Sequence, residues 1–216
     1  MERRKYLQIP GPTNVPDRVL RSLSTPLVNH RGEEFEKLLN KCVKGLKRVL
    51  RTENDVLIFP SSGSGILESA IVNLFSPGDT IVVSSMGVFS DRMGVIGESY
   101  GLNVIRITKE WGSAVKAKDV IDLLEEDKEH KIKAVCMPQN ETATCVANDI
   151  ENVSKAIKAT GHPAIFIVDA ISSLACMPLE TDAWGVDVVI SASQKGLMLP
   201  PGMGLVCLNS KAWELV

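Results

Sequence analysis

The chain has 216 residues, of which 44% are hydrophobic and 23% charged, as expected for a globular protein with one substantial core. Its formal net charge of -2 offers no basic surface, which argues against nucleic acid as a partner. No apolar run approaches the roughly 18 residues that span a bilayer, and the basic N-terminus lacks the apolar segment of a secretory signal.

The cysteines and histidines indicate the redox compartment and whether a metal site is expected. The five cysteines are odd in number, form no CxxC pair and in several cases lie in apolar runs. This usage predicts reduced, mostly buried thiols in a cytoplasmic protein. The three histidines have no metal-ligand spacing, so we predict no metal site.

The N-terminal part of the chain predicts an arm followed by a helix. Residues 7–17 carry three prolines and one glycine, which indicates an irregular segment. Over 33–51 the apolar residues recur at helical spacing, and we expect that face to pack on the core. No linker or low-complexity tract interrupts the rest, so we divide the chain into an arm, 1–25, and one domain, 26–216.

A loop of small residues follows the first predicted strand. The strand, DVLIFP at 55–60, runs into SSGSG at 61–65, and a helix is predicted over 66–75. Free N–H groups at the start of such a helix offer a seat for phosphate, although an ordinary strand-to-helix turn is the commoner reading of the loop alone. Neither a GxGxxG fingerprint nor a GK[ST] ending is present, which disfavours a nucleotide-binding dehydrogenase and a P-loop protein.

Strands and helices alternate along the remainder. Gly101 and Gly161 are predicted helix stops, and the last residues, 210–216, resemble the first turns of a helix. This alternation predicts an α/β fold of three α/β/α layers around a mostly parallel sheet. We also expect the chain to be the N-terminal part of a longer protein. The predicted strands are 80–84, 103–108, 133–138, 164–170, the run from 187, and 204–209, and the helices are 118–126 and 150–160.

Two apolar runs end in a charged residue. The run AIFIVDA contains Asp169, and DVVISASQKG brings in Lys195. Ligands of open α/β sheets bind at the carboxyl ends of the strands. A lysine in a partly dry pocket becomes a nucleophile toward carbonyls, and a carboxylate can accept a hydrogen bond from a protonated pyridine nitrogen. A surface lysine in a loop remains the alternative.

Several separated segments together resemble the class V aminotransferases, which are pyridoxal-phosphate enzymes of fold type I. The segments are SSGSG, NETATCVAND, IVDAISSL, WGVDVV and SASQKGLMLPPGMG, in that order along nearly the whole chain. The branch that the chain resembles most is that of the serine–glyoxylate and alanine–glyoxylate aminotransferases.

The resemblance implies a role for each site residue. Lys195 would hold pyridoxal 5'-phosphate as an internal aldimine, and Asp169 would face its pyridine nitrogen. Phe89 would stack on the ring, and Thr142 would lie near the phenolic oxygen. Asn14 would belong to the arm at the substrate side of the site. The residues implied for the phosphate are Ser64, Gly65, Ile66 and Gln194.

The chain departs from the family pattern in two places. Cys145 stands where relatives usually have glycine. The family's C-terminal small domain, which supplies a substrate-binding arginine and completes the partner subunit's phosphate site, is absent, so this stretch alone is expected to be inactive. The family also implies a homodimer with small amino acids and 2-oxo acids as substrates.

The expected function is therefore transfer of an amino group from serine or alanine to glyoxylate or pyruvate. A cysteine desulfurase is one alternative, but those enzymes usually have histidine before the lysine and on the ring, where this chain has Gln194 and Phe89. A non-catalytic subunit that keeps only the fold is another alternative.

Overall fold

The computed structural model describes residues 6–216 and contains one large sheet, a small hairpin and eight helices within that range. The helices are α1 (Asp17–Ser22), α2 (Glu33–Leu50), α3 (Gly63–Leu74), α4 (Arg92–Ser99), α5 (Ala117–Glu126), α6 (Ile150–Thr160), α7 (Thr181–Trp184) and α8 (Ser210–Trp213). The strands are β1 (Asp55–Ser61), β2 (Thr80–Ser85), β3 (Asn103–Thr108), β4 (Ile132–Pro138), β5 (Asn140–Glu141), β6 (Val146–Ala147), β7 (Ile165–Asp169), β8 (Val188–Ala192) and β9 (Gly202–Leu208).

The large sheet has seven strands in the order β1-β9-β8-β7-β4-β2-β3. β9 pairs antiparallel with both of its neighbours, β1 and β8, while all the other pairings are parallel. Six strands therefore run in one direction and only β9 runs against them. The predicted mostly parallel sheet is confirmed, and the carboxyl ends of β1, β7 and β8 lie at the same edge.

Both faces of the sheet are covered by helices. Along β7, Phe166 and Val168 point to one face and Ile165 and Ile167 to the other, and all four are at most 2% exposed. On the first face the core includes residues of α2, α5 and α6, and on the second it includes residues of α3, α4 and α8. Each such side chain contributes about 1.5–3 kcal/mol on burial. The predicted three layers are confirmed.

The ends of the helices follow local signals. α3 starts three residues earlier than predicted, because the Ser62 side chain caps it by accepting from the Gly65 N–H at 3.1 Å. α6 ends before Gly161, whose φ of 69° gives the left-handed turn that was predicted there. The short helix α1 was not predicted and begins directly after Pro16, where the fixed proline backbone ends the irregular stretch.

The prediction that α2 packs on the core along its apolar face holds only for the C-terminal part of the helix, where Val43 and Leu46 pack against the core beside Leu50. Only Leu50, at its last turn, is buried, while Leu38 and Leu39 are 50% and 40% exposed. Periodicity identifies an apolar face but not what covers it.

The prediction of mostly buried cysteines is also wrong. All five are free thiols, and only Cys136 and Cys207 are buried, because the other three lie on α2 and on loops rather than in the sheet. Within residues 6–216, no helix combines the length and the apolar character that crossing a bilayer requires. The division at residue 25 stays a prediction.

Candidate active site

A cavity of about 400 Å³ opens where the carboxyl ends of the strands meet. The residues that line it come from the N-terminal arm, the start of α3, the segment after β2, the β5–β6 hairpin, the end of β7 and the loop after β8. Among them are Gly11, Pro12, Ser62, Gly63, Ser64, Phe89, Arg92, Asn140, Thr142, Asp169, Ser172, Gln194 and Lys195. Six of the nine site residues predicted from the sequence line this cavity, and the other three, Asn14, Gly65 and Ile66, do not.

Lys195 lies in the loop that joins β8 to β9. Its half-buried amine donates to the Pro10 carbonyl at 3.0 Å, so the arm lies directly over it. Burial lowers the pKa of Lys195, and the negative charge of Asp169 opposes this shift. A lowered pKa leaves more of the amine neutral, and the neutral amine is the nucleophilic form.

The loop that carries Lys195 is held by close backbone packing. A Cβ built on Gly196 would lie well inside contact distance of the Leu174 carbonyl oxygen and 2.7 Å from the Cys176 Sγ. The Thr13 N–H also donates to the Gln194 carbonyl at 3.0 Å. The loop therefore has contacts on two sides, and these contacts fix the position of the Lys195 backbone.

Asp169 ends β7 and faces the same cavity. Its Oδ1 accepts from the Ile171 N–H at 2.8 Å. Burial raises the pKa of Asp169 to about 6, with a further rise from Glu141, while the Ile171 N–H, Arg92 and Lys195 lower it. A carboxyl held in this way gains from any cationic partner that enters the cavity, because the partner offsets the cost of ionising a buried acid.

The start of α3 forms another wall, and it differs in detail from the sequence prediction. Ser62, Gly63 and Ser64 line the cavity, and the first N–H groups of a helix have no partner within it. The Gly65 N–H donates to the Ser62 side chain, and Ile66 is fully buried with its N–H on the Ser62 carbonyl. Ser64 thus reaches the cavity, whereas Gly65 and Ile66 do not line it, and their role stays a prediction.

Three further predicted residues meet around the same space. Phe89 and Thr142 are half-buried and line the cavity, as does Gln194. The Gln194 Oε1 atom is buried and has no hydrogen-bond partner within the described part of the chain. A buried amide oxygen without a partner at the wall of a cavity is suited to a ligand that donates a hydrogen bond.

Asn14 is the third predicted site residue that does not line the cavity. It is exposed, and its side-chain amide donates to the Leu7 carbonyl at 3.0 Å and accepts from the Leu7 N–H at 2.9 Å. These two bonds close the arm into a loop that places Gly11 and Pro12 at the cavity. Contact between Asn14 and a substrate stays a prediction.

Glu141 is a residue that the sequence reasoning missed. It is fully buried, and its carboxylate accepts from the N–H groups of Ser90 at 2.6 Å and Ala143 at 2.8 Å. It also has room only because residue 87 is glycine, where a Cβ would lie 2.5 Å from the glutamate Cδ. Glu141 therefore ties the segment that carries Phe89 to the hairpin that carries Thr142. Its place inside the NETA motif was the only sequence signal.

The departure at Cys145 has a local explanation. Its φ is 56°, a left-handed conformation that glycine adopts without strain and other residues adopt at a cost of about 1–2 kcal/mol. The side chain is exposed, so it meets no packing conflict. The hairpin keeps its turn with cysteine in place of glycine.

The comparisons with known proteins agree with this geometry. The family model described as "Aminotransferase class-V" matches residues 5–215. A serine–glyoxylate aminotransferase of Methylorubrum extorquens is 42% identical over 97% of this chain and 52% of its own length. An L-aspartate–glyoxylate aminotransferase of Paracoccus denitrificans is 41% identical over 96% of this chain and 53% of its own length. The chain thus spans about half the length of the curated relatives it matches.

Solved structures extend the comparison to the fold. The crystal structure of an alanine–glyoxylate aminotransferase from Nostoc sp. superposes with a TM-score of 0.91 at 30% identity, over all of this chain and 56% of that one. A cysteine desulfurase of Thermococcus onnurineus is more distant, with a TM-score of 0.78 at 21% identity, and it shares the fold alone. Sheet order, cavity and sequence similarity together place this chain in the class V aminotransferase family, with the large-domain fold of the type I pyridoxal-phosphate enzymes.

Proposed function

We propose that the protein is a pyridoxal 5'-phosphate-dependent aminotransferase that moves an amino group from a small amino acid, serine or alanine, to glyoxylate or pyruvate. One observation carries the proposal: the Lys195 amine, the Asp169 carboxylate and the start of α3 line one cavity of about 400 Å³. The relatives named as glyoxylate aminotransferases support the acceptor, and their different donors leave serine and alanine both open.

The residues present fit this cofactor. The aldehyde of the cofactor reacts with a primary amine, and its ring nitrogen pairs with an acid. Its ring packs against an apolar side chain, and its phosphate accepts from a set of N–H and hydroxyl donors. Lys195, Asp169 and Phe89 supply the first three. The start of α3 at Ser62 and Ser64, with the side-chain NH2 group of Gln194, would supply the donors. When bound, the cofactor supplies an electron-accepting ring that stabilises negative charge on the substrate α-carbon.

The chain's own side chains then divide the work. The Lys195 amine would hold the cofactor covalently, and as a free base it would take and return the proton of the substrate α-carbon. Burial lowers its pKa, which favours the neutral base that this role needs. Asp169 would accept the hydrogen bond of the ring nitrogen and would keep that nitrogen protonated. The arm at Gly11 and Pro12 narrows the cavity above the lysine and limits water there.

A homodimer and a cytoplasmic location are part of the proposal. Four leucines on the arm, on the segment before α2 and on α2 are between 40% and 101% exposed: Leu23, Leu27, Leu38 and Leu39. Exposed apolar surface of this kind supports further protein contacts. The free thiols support a reducing compartment. Small amino acids and 2-oxo acids are the proposed substrates, bound by the domain 26–216 beneath residues 6–25 of the arm.

The test uses the purified full-length protein and a panel of amino donors with glyoxylate and pyruvate. We expect transfer from serine or alanine, and borohydride should fix the cofactor to the peptide that carries Lys195. Lys195→Ala should lower kcat by at least about 1,000-fold, the upper part of the range for loss of a general base. The matched control is Lys155→Ala, which removes an exposed lysine of α6 and should leave kcat unchanged.

Other outcomes have distinct meanings. Substantial transamination by Lys195→Ala would remove that lysine from the role. Release of sulfide from cysteine without amino transfer would favour the desulfurase alternative. Binding of cofactor with no turnover of any donor would favour a non-catalytic subunit.

A further inference from the structure

Arg92, the first residue of α4, lies in the wall of the cavity although the sequence analysis assigned it no role. Its Nη1 donates to the Ser64 Oγ at 2.9 Å. Its guanidinium carbon lies 4.9 Å from the centre of the Phe89 ring, in the range of a cation–π contact. One side chain therefore touches both the start of α3 and the aromatic residue next to the ring site.

The guanidinium of Arg92 forms no ion pair among the described residues. Within the described range 6–216, no carboxylate lies at ion-pair distance from it, and the adjacent Asp91 binds the Arg106 Nε at 2.7 Å instead. Arg92 also lowers the pKa of Asp169, so its charge is felt inside the cavity. A half-buried guanidinium has five N–H donors, and here Ser64 takes one of them. Such a group favours an anion beside it.

The position of Arg92 decides which anion. It reaches the Ser64 hydroxyl at the start of a twelve-residue helix, where unpartnered N–H groups and the helix dipole already favour negative charge. A guanidinium fork matches the oxygens of a phosphate monoester. Its contact with Phe89 holds the side chain in that place.

We propose that Arg92 anchors the cofactor by donating to its phosphate group beside Ser64. This inference rests on the proposed function, because it takes pyridoxal 5'-phosphate as the ligand. Arg92 thus joins the phosphate site to the ring site through Phe89. A charge-assisted hydrogen bond of this kind changes affinity by about 10- to 100-fold.

The experiment compares two ligands that differ only in the phosphate. Apo full-length protein is titrated with pyridoxal 5'-phosphate and with pyridoxal, and Kd is read from the absorbance change on binding. Arg92→Gln should weaken pyridoxal 5'-phosphate by about 10- to 100-fold and leave pyridoxal within about 3-fold. Arg92→Lys keeps the charge without the fork and should lie between Gln and the wild type. Lys118→Gln removes an exposed charge of α5 that is hydrogen-bonded to Asp122, and it should change neither Kd.

Each result separates this inference from the proposed function. Wild-type protein that binds neither ligand would overturn both. Normal binding by the wild type with equal weakening of both ligands in Arg92→Gln would overturn the phosphate contact and leave the function standing. An unchanged Kd for pyridoxal 5'-phosphate in Arg92→Gln would also overturn the phosphate contact and leave the proposed function standing. If Arg92→Gln does not fold, as judged by circular dichroism, the Arg92→Lys comparison of the two ligands decides in the same way.

Discussion

Asp169→Asn is expected to stabilise the apo protein while abolishing its activity. The pKa of Asp169 rises from 3.8 to about 6 because burial disfavours the charged form. A difference of about 2 between the folded and unfolded pKa corresponds to about 3 kcal/mol, at about 1.4 kcal/mol per unit. The amide keeps an oxygen that can accept from the Ile171 N–H but carries no charge to bury. At pH 8 the free energy of unfolding of the variant should therefore be about 3 kcal/mol higher than that of the wild type.

The pH dependence gives the sharper test. Between the unfolded pKa and the folded pKa, the folded wild type binds the proton of Asp169 more tightly than the unfolded chain does. The free energy of unfolding of the wild type therefore falls as the pH rises. The difference in this free energy between the variant and the wild type grows from about half of its full value at pH 5 to its full value at pH 8. Urea unfolding of both apo proteins at the two pH values measures it.

A matched control isolates burial as the cause. Glu36 is an exposed carboxylate of α2, and Glu36→Gln should leave the free energy of unfolding unchanged at both pH values. If the difference between Asp169→Asn and the wild type is the same at pH 5 and pH 8, or if the variant is destabilised at both, the reasoning from burial is refuted. With cofactor bound, the order should reverse, because the carboxylate then has a cationic partner.

Two further substitutions test how the site is held. Gly196→Ala places a Cβ against the Leu174 carbonyl, so we expect a loss of about 1–3 kcal/mol in the free energy of unfolding and a weaker Kd for the cofactor as the lysine loop shifts. Gly45→Ala on α2, where a Cβ meets nothing, should stabilise by about 0.5–1 kcal/mol, and equal effects at the two sites would contradict the packing argument. Glu141→Gln removes a negative charge that raises the pKa of Asp169, so we expect the pKa of Asp169 to fall. In the Glu141→Gln background, the effect of Asp169→Asn on the free energy of unfolding should then differ less between pH 5 and pH 8. An unchanged titration in the Glu141 variant would rule out the coupling.

The sheet was predictable from the sequence because its strands are nearly continuous apolar runs. Buried parallel strands must be apolar on both faces, and this pattern is local. Residues 188–192 and 165–169 are of this kind and were placed within a few residues. The fate of α2 was not predictable, because an apolar helical face is identical in sequence whether it packs on the same domain or awaits another surface.

The residues of the candidate site also fall into two groups, those that the local sequence predicts and those that it does not. Lys195 and Asp169 follow strands and could be placed at the sheet edge by topology alone. Arg92 and Glu141 could not, because their roles depend on contacts across 28 and 51 residues of sequence. The loop before α3 is an intermediate case. The Gly65 N–H donates to the Ser62 side chain that caps α3, and only the helix geometry shows which small residues face the cavity.

The reversed strand β9 explains why these distant pieces meet. β9 lies between β1 and β8, so the loop after β8 must turn back at the sheet edge and pass beside the start of α3. A Cβ at Gly204 of β9 would lie 2.7 Å from the Ile66 Cβ, so α3 can rest on the sheet this closely only above a glycine. That close approach brings the start of α3 and the lysine loop to the same cavity, and the site is therefore a consequence of how the helix packs on the sheet.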